Sequence, residues 1–414
     1  MTSPAVVIGA GLAGTRTAQR LGGDTVLIGE EDHAPYNRVL LAEVLAGRYG
    51  PEVIALPTPP GRALRTRAVR VDRAERRVHC ADGTVVPYST LVLATGSNPV
   101  LPPLRGLFAP GARELPRGVH AFRTMDDCLA LSAAVTPGVR AVVIGGGLLG
   151  VSAARALARR GAQVVLTQQA ERLMERQLDP ESSELVRRHL TDLGVEVHTE
   201  CRVRGVGVED GAVRHVELAD GYALATDLTV LACGVRPRTG LAQAAGLDVH
   251  KGIVVDDLLR TSDPHIRAVG DCAEHAGRVY GLATPAVEQA DALADALLAK
   301  EAGAEEGADG RGARPYTGSR TLTRLTLSGP GPGSLDLAAF GEIEPRPDDD
   351  VIRLADATRG TYRKVVVRGD RLVGGVLLGE LGSVGALARA WEAEEPLPDD
   401  ASPLLHLLTP DGGR

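Results

Sequence analysis

The stretch AVVIGAGLAGTRTAQRLGGDTVLI, Ala5 to Ile28, decides the fold. Its four leading apolar residues end at Gly9 and read as a short strand, Leu12 to Leu21 carries helical spacing, and Thr25 to Ile28 reads as a second strand. Between strand and helix lie Gly9, Gly11 and Gly14, spaced G-x-G-x-x-G. In that context the first glycine permits a tight turn, the second admits a pyrophosphate to the backbone, and the third allows helix and strand to pack closely. The first helical turn, with Leu12 and Ala13, offers free N–H groups and the positive end of the helix dipole. Glu30 ends the second strand, where a carboxylate can accept hydrogen bonds from both ribose hydroxyls. A ligand-free glycine turn would explain the glycines, but not strand, helix and acid together.

The same pattern returns further along. Arg140 to Ile144 reads as a strand, Gly145, Gly147 and Gly150 repeat the fingerprint, Leu148 and Leu149 open a helix to Arg160, and Gln163 to Thr167 follows as a strand. A second dinucleotide is implied. Laying Val26–Glu30 on Val164–Gln168 puts Gln168 at the position of Glu30, and a neutral amide neither repels nor attracts a 2′-phosphate, so NADH and NADPH both stay open. Arg172 is a candidate phosphate ligand whose ordinary alternative is a solvated surface arginine.

The rest of the chain bounds these readings. With 414 residues it suggests two or three domains, and 44% hydrophobic with 24% charged residues is ordinary globular composition. The net charge of −7 comes with scattered Lys and Arg, which leaves no nucleic-acid footprint. No apolar run reaches membrane-helix length and Met1 leads almost directly into a strand, so a cytoplasmic protein without a membrane role is expected. Cys80, Cys128, Cys201, Cys233 and Cys272 are far apart, which predicts buried reduced thiols with no local metal or redox-disulfide motif. None of the ten histidines falls in a recognisable catalytic spacing. Pro57–Pro60 and Pro99–Pro103 read as loops or crossings, and the Gly-, Ala- and acid-rich stretch Ala302–Gly312 as a linker after a helix over Ala286–Glu301. Pro330 and Pro332 among glycines mark another loop. Strand-like runs over Arg320–Leu327, Tyr362–Val367 and Leu372–Leu378, a turn at Gly369–Asp370 and a helix over Val384–Trp391 predict a small α+β domain.

Further strings carry a family resemblance. Leu91–Gly96 (LVLATG), with Ala94, Thr95 and Gly96, Leu231–Pro237, and Gly270–Asp271 after an apolar strand resemble, in order, segments of the FAD-dependent pyridine-nucleotide oxidoreductases. Pro35–Leu41 (PYNRVLL), Met174–Asp179 and Leu372–Gly379 resemble more closely the flavin modules of nitrite reductases and the rubredoxin and ferredoxin reductases. The likeness runs over nearly the whole chain. It implies an α/β fold with two Rossmann-type domains, the second inserted in the first: FAD on 1–112 and 240–312, NAD(P) on 113–239, and a small α+β domain on 313–414. It implies that Arg38 lies near the flavin, that Asp271 binds the ribityl chain ahead of a helix facing the flavin, and that Thr284 and Pro285 cap and begin a helix near its pyrimidine end.

The implied activity is electron flow from NADH or NADPH through FAD to an acceptor, an iron–sulfur or rubredoxin-like protein or a nitrite or nitrate reductase component, in a monomer or homodimer. Without the clustered cysteines of iron–sulfur and sirohaem domains, nitrite reduction by this chain alone is not expected; without a cysteine pair, neither is disulfide reduction. A flavin oxidoreductase acting on a small molecule and a non-enzymatic FAD-binding sensor are the alternatives. Relatives place a lysine and a glutamate near flavin N5 where this chain has Glu43 and Ser152. If the carboxylate slows hydride transfer, Glu43→Lys speeds it; branch-specific drift is the other explanation.

Overall fold

The computed structural model describes residues 4–109, 111–112, 114–301, 315–327, 335–356, 358–393, 396–397 and 408. Two five-stranded sheets carry the fingerprints. In the first, the strands run in the order Ile266–Ala268, Thr90–Leu93, Ala5–Ile8, Thr25–Gly29 and Arg62–Arg65, every neighbour parallel. In the second they run Glu196–His198, Gln163–Thr167, Arg140–Ile144, Leu228–Leu231 and Val119–Ala121, again all parallel. These are the two Rossmann-type units expected, and the second interrupts the first, whose last strand returns at Ile266. The helices Leu12–Leu21 and Leu148–Arg159 follow the two glycine turns. Continuous apolar runs such as Val142–Ile144 suit strands covered on both faces, and those residues are buried.

The two crossings between units pair with each other, Ser97–Pro99 lying antiparallel to Val235–Pro237. Each unit also carries a three-stranded antiparallel meander, one within 68–87 and the other within 203–225. Their partly exposed strands gave no clear alternation in the sequence, and neither was foreseen. The last unit is a five-stranded antiparallel sheet on which the helix Val384–Ala393 packs through Val384, Leu387 and Trp391. The predicted turn is there, Arg368 opposite Arg371 with Gly369 at φ +62°. The strands Asp336–Gly341 and Asp350–Asp356 were not foreseen. The linker expected over Ala302–Gly312 and the loop at Pro330 and Pro332 lie outside the described residues.

One hydrophobic cluster joins all three units: Leu41, Val44 and Leu45 of the first, Val151, Ala154 and Leu157 of the second, and Leu337, Tyr362 and Val376 of the last. Asp179, which caps the helix Pro180–Asp192 by accepting from Ser182 N, also takes Tyr362 Oη at 2.7 Å and Lys364 Nζ at 2.9 Å from the last sheet. Burial would raise the Asp179 pKa, but the bonds from Ser182, Tyr362 and Lys364 prevail and hold it below the ordinary carboxylate range.

The glycine turns set the distance between helix and sheet. A Cβ on Gly14 would sit 1.8 Å from the Gly9 carbonyl oxygen, and one on Gly150 would sit 1.7 Å from that of Gly145. Both contacts are with backbone and cannot relax by a rotamer change. Gly14→Ala is therefore expected to destabilise the protein by about 3 kcal/mol, whereas Gly11→Ala, whose Cβ meets nothing within 4 Å, is expected to cost under about 1 kcal/mol; thermal denaturation of the two variants checks the difference.

Candidate functional site

A cleft of about 370 Å³ opens at the carboxyl ends of the first sheet, beside the turn Gly9–Gly11. Open parallel sheets bind ligands at this end of their strands. Gly9, at φ +113°, holds a conformation closed to other residues, and a Cβ there would strike the Ala94 carbonyl oxygen at 2.1 Å. Gly9 and Gly14 are thus demanded by the protein itself. Gly11 is not, since it has ordinary backbone angles, faces the cleft, and would place a Cβ in open space. That open cradle at a helix N-terminus is what an approaching pyrophosphate requires. Gly147 stands in the same relation to Gly145 and Gly150 at the second fingerprint, and the N–H groups of Leu148 and Leu149 begin that helix as Leu12 and Ala13 begin the first.

Around the cleft, acids and arginines are paired. Glu30, directly after the strand Thr25–Gly29, is in the lining and is bonded to Arg238, whose Nε donates to Asn98 Oδ1 at 2.7 Å. Arg238 reaches across from the end of the return crossing, where Thr95 Oγ1 donates to its carbonyl oxygen at 2.6 Å. Arg38 also lines the cleft, bonded to Glu31, to Tyr36 Oη at 2.9 Å and to the Arg123 carbonyl oxygen at 3.2 Å. Tyr36 Oη donates to Glu31 at 2.6 Å and accepts from Met125 N at 2.8 Å; burial foremost keeps the phenol protonated well above its usual range. Ala94, Thr95 and Gly96 form part of the wall.

Asp271 lies just behind that wall, its Oδ2 accepting from Ser97 Oγ at 2.8 Å and Arg123 Nη2 at 2.6 Å. Ser97 and Arg123 both line the cleft. The helix expected directly after Gly270–Asp271 is instead a single 3-10 turn, Gly270–Cys272, followed by the strand Ala273–His275. The helix packed against this turn is the later one, Ala283–Glu301, whose Gln289 Oε1 accepts from Gly270 N at 2.7 Å. Helical structure there starts one residue before Thr284, so Thr284 is not its cap and Pro285 is not its first residue. Proline is tolerated in the first turn because no N–H there has a helical partner.

Four further candidate positions are engaged within the protein. Gln168 turns onto its own glycine loop, Oε1 accepting from Gly146 N at 2.8 Å. Arg172 pairs at 3.2 Å with Glu344 of the last unit. Glu43 and Ser152 are not in the cleft lining among the described residues; Ser152 Oγ donates to the Leu148 carbonyl one helical turn back, at 2.8 Å, while Glu43 is buried and ion-paired to Arg155. Arg155 lies three residues beyond Ser152, on the same face of the same helix. Its position relative to Ser152 was the signal available in the sequence. Arg238 had a signal as well, one residue past the resembling segment Leu231–Pro237. For Arg123, brought to Asp271 from far along the chain, there was none.

The cysteines Cys80, Cys128 and Cys272 are buried, and Cys201 and Cys233 are partly exposed. Burial raises the Cys128 and Cys233 thiols to about 11, which keeps them protonated at neutral pH. No helix among the described residues is long and apolar enough to cross a membrane.

Comparison with known proteins gives the site its setting. Residues 3–290 match the pyridine nucleotide-disulphide oxidoreductase family, and residues 333–395 the rubredoxin NAD+ reductase C-terminal domain. The chain is 35% identical to nitrite reductase [NAD(P)H] of Bacillus subtilis (strain 168) over 91% of its own length, spanning 45% of that relative. It is 34% identical to rubredoxin-NAD(+) reductase of Alcanivorax borkumensis (strain ATCC 700651 / DSM 11573 / NCIMB 13689 / SK2) over 71% of its own length and 78% of that protein. The solved covalent putidaredoxin reductase–putidaredoxin complex contains a chain that superposes with a TM-score of 0.82 at 26% identity, covering 98% of both. With two Rossmann-type units in the right order, a fitted cleft and these matches, the chain belongs to the pyridine nucleotide-disulphide oxidoreductase family.

Proposed function

We propose that the protein is an NAD(P)H-dependent FAD oxidoreductase that passes electrons to a small acceptor protein of the iron–sulfur or rubredoxin type, or to a nitrite or nitrate reductase component. The observation that carries the reading is the doubled cradle: Gly11 and Gly147 face open space while their flanking glycines are locked by backbone contact. Two dinucleotides in one chain call for chemistry between them. The relatives spanned over most of their length, such as rubredoxin-NAD(+) reductase, support a protein acceptor. A cytoplasmic setting follows from the nicotinamide supply.

On this reading residues 1–112 and 240–312 hold FAD, 113–239 hold the nicotinamide cofactor, and 313–414 form the last domain. Gly9, Gly11 and Gly14, with the N–H groups of Leu12 and Ala13, receive the FAD pyrophosphate, and Glu30 takes the adenosine ribose once Arg238 yields it. Arg38 and the Ala94–Gly96 wall flank the cofactor, Gly270 and Asp271 orient the ribityl chain, and the helix end before Pro285 offers the N–H groups of Ala283 and Thr284 to a developing negative charge. Gly145, Gly147 and Gly150, with Leu148 and Leu149, receive the nicotinamide cofactor's pyrophosphate, and Gln168 can accept a ribose hydroxyl if it leaves Gly146. When bound, FAD supplies two-electron acceptance from nicotinamide and one-electron release to the acceptor. The chain contributes position and field, in keeping with the lack of a foreseen acid–base dyad.

An anaerobic titration with NADH and NADPH tests the proposal. Bleaching of the flavin band by either is expected, and a flavin that neither reduces would sink it. Asp271→Ala is expected to lower the FAD content of the purified protein several-fold, read from the ratio of flavin to protein absorbance. Gly11→Ala is expected to weaken FAD binding at least tenfold while the cofactor-free protein melts nearly as wild type; unchanged affinity would show that Gly11 does not meet the pyrophosphate.

A further inference from the structure

We infer that Glu43 and Arg155 act as a positioning pair that fixes the second dinucleotide-binding unit against the first and so governs transfer between the two cofactor sites; this rests on the proposed function. Arg155 has a side-chain exposure of 1% and Glu43 of 10%, and they are bonded across the junction of the units. Glu43 lies on the helix Leu41–Leu45, which follows Arg38 of the cleft within a few residues. Arg155 lies about two turns along the helix Leu148–Arg159, whose N-terminus carries the second fingerprint. A bond between them links one site to the other through two short, stiff elements.

The surroundings make this bond hard to open. Leu41, Val44, Leu45, Val151 and Ala154 belong to the apolar cluster around it, and a charge left there without its counter-ion would be strongly disfavoured. Further charged and titratable groups face this corner. Arg48 stands 3.6 Å from Glu43 Oε2. Burial lowers the pKa of His189 on the helix Pro180–Asp192; the Leu327 backbone and Asp192 oppose this and the charge of Arg155 adds to it. Reversing the sign of Glu43 would set it against Arg155. The expectation that Glu43→Lys speeds transfer is accordingly reversed.

The test uses the full chain with FAD bound and compares Glu43→Gln, Arg155→Lys and the reciprocal Glu43→Arg/Arg155→Glu with wild type. Stopped-flow bleaching separates the limiting rate from the apparent nicotinamide affinity, and labels at the exposed positions Asp82 and Glu209 report the distance between units. Glu43→Gln is expected to lower the limiting rate on the order of tenfold and broaden the distance distribution, with nicotinamide affinity and FAD content within about twofold of wild type. Arg155→Lys or the reciprocal exchange should recover much of the rate. A lower melting temperature with unchanged limiting rate and distances, or weakened affinity at an unchanged limiting rate, would overturn the inference. If NADH and NADPH leave wild type unbleached, the proposed function fails, and the distance measurement alone then decides whether the pair positions the units: an unchanged distribution in Glu43→Gln rejects it.

Discussion

Everything in this molecule hangs on a backbone-to-backbone contact made twice, where a helix crosses the end of its own strand with no side chain between them. Gly14 over Gly9, and Gly150 over Gly145, leave less than 2 Å for an added Cβ. That proximity aims each helix N-terminus over the carboxyl ends of the parallel strands. In the first unit the chain passes from Ala5–Ile8 to Thr25–Gly29 and Arg62–Arg65 on one side and later returns to Thr90–Leu93 and Ile266–Ala268 on the other, and the crevice opens at that switch. Cleft, cradle and dipole therefore follow from one steric fact.

Two kinds of ion pair surround this frame, and their energetics differ. Glu30 and Arg238 are each more than a third exposed, so their attraction is weak and screened by water and salt. A ribose can take Glu30 and leave Arg238 to a phosphate at little cost. Glu43 and Arg155 have almost no water to replace a lost partner. The first pair suits an opening that a ligand must enter, and the second a junction that must keep its geometry while ligands come and go.

Much of this was legible in the residues. The helix Leu12–Leu21 and the strands Ala5–Ile8, Arg140–Ile144 and Gln163–Thr167 have the bounds their apolar spacing indicated, because glycine turns and buried parallel strands leave unmistakable patterns. The two meanders and the strands Asp336–Gly341 and Asp350–Asp356 did not, being short, polar on one face, or without alternation. At the cleft, the glycines, Glu30 and Arg38 were legible because each belongs to a local string. Of the partners, Arg155 and Arg238 had only their nearness to Ser152 and to Leu231–Pro237 as a signal and Arg123 had none, because tertiary folding brings an arginine to an acid from up to 208 positions away, and neither spacing nor periodicity records such a meeting.

The charge at residue 43 shows why that gap matters for chemistry. Taken alone, a carboxylate where the family resemblance places a cation implies a reversed field and an impaired site. With Arg155 bonded to it, the pair is neutral in sum, and what changes is the direction of a buried dipole, whose influence falls off faster with distance than that of a lone charge. The last unit takes part as well, since Leu337 and Tyr362 pack in the same core as Leu41 and Val151, and Tyr362 and Lys364 hold Asp179 at the head of the helix that carries His189. The C-terminal sheet thus braces the corner in which the pair sits, and the relative placement of the two dinucleotide sites depends on three units packed around one buried bond.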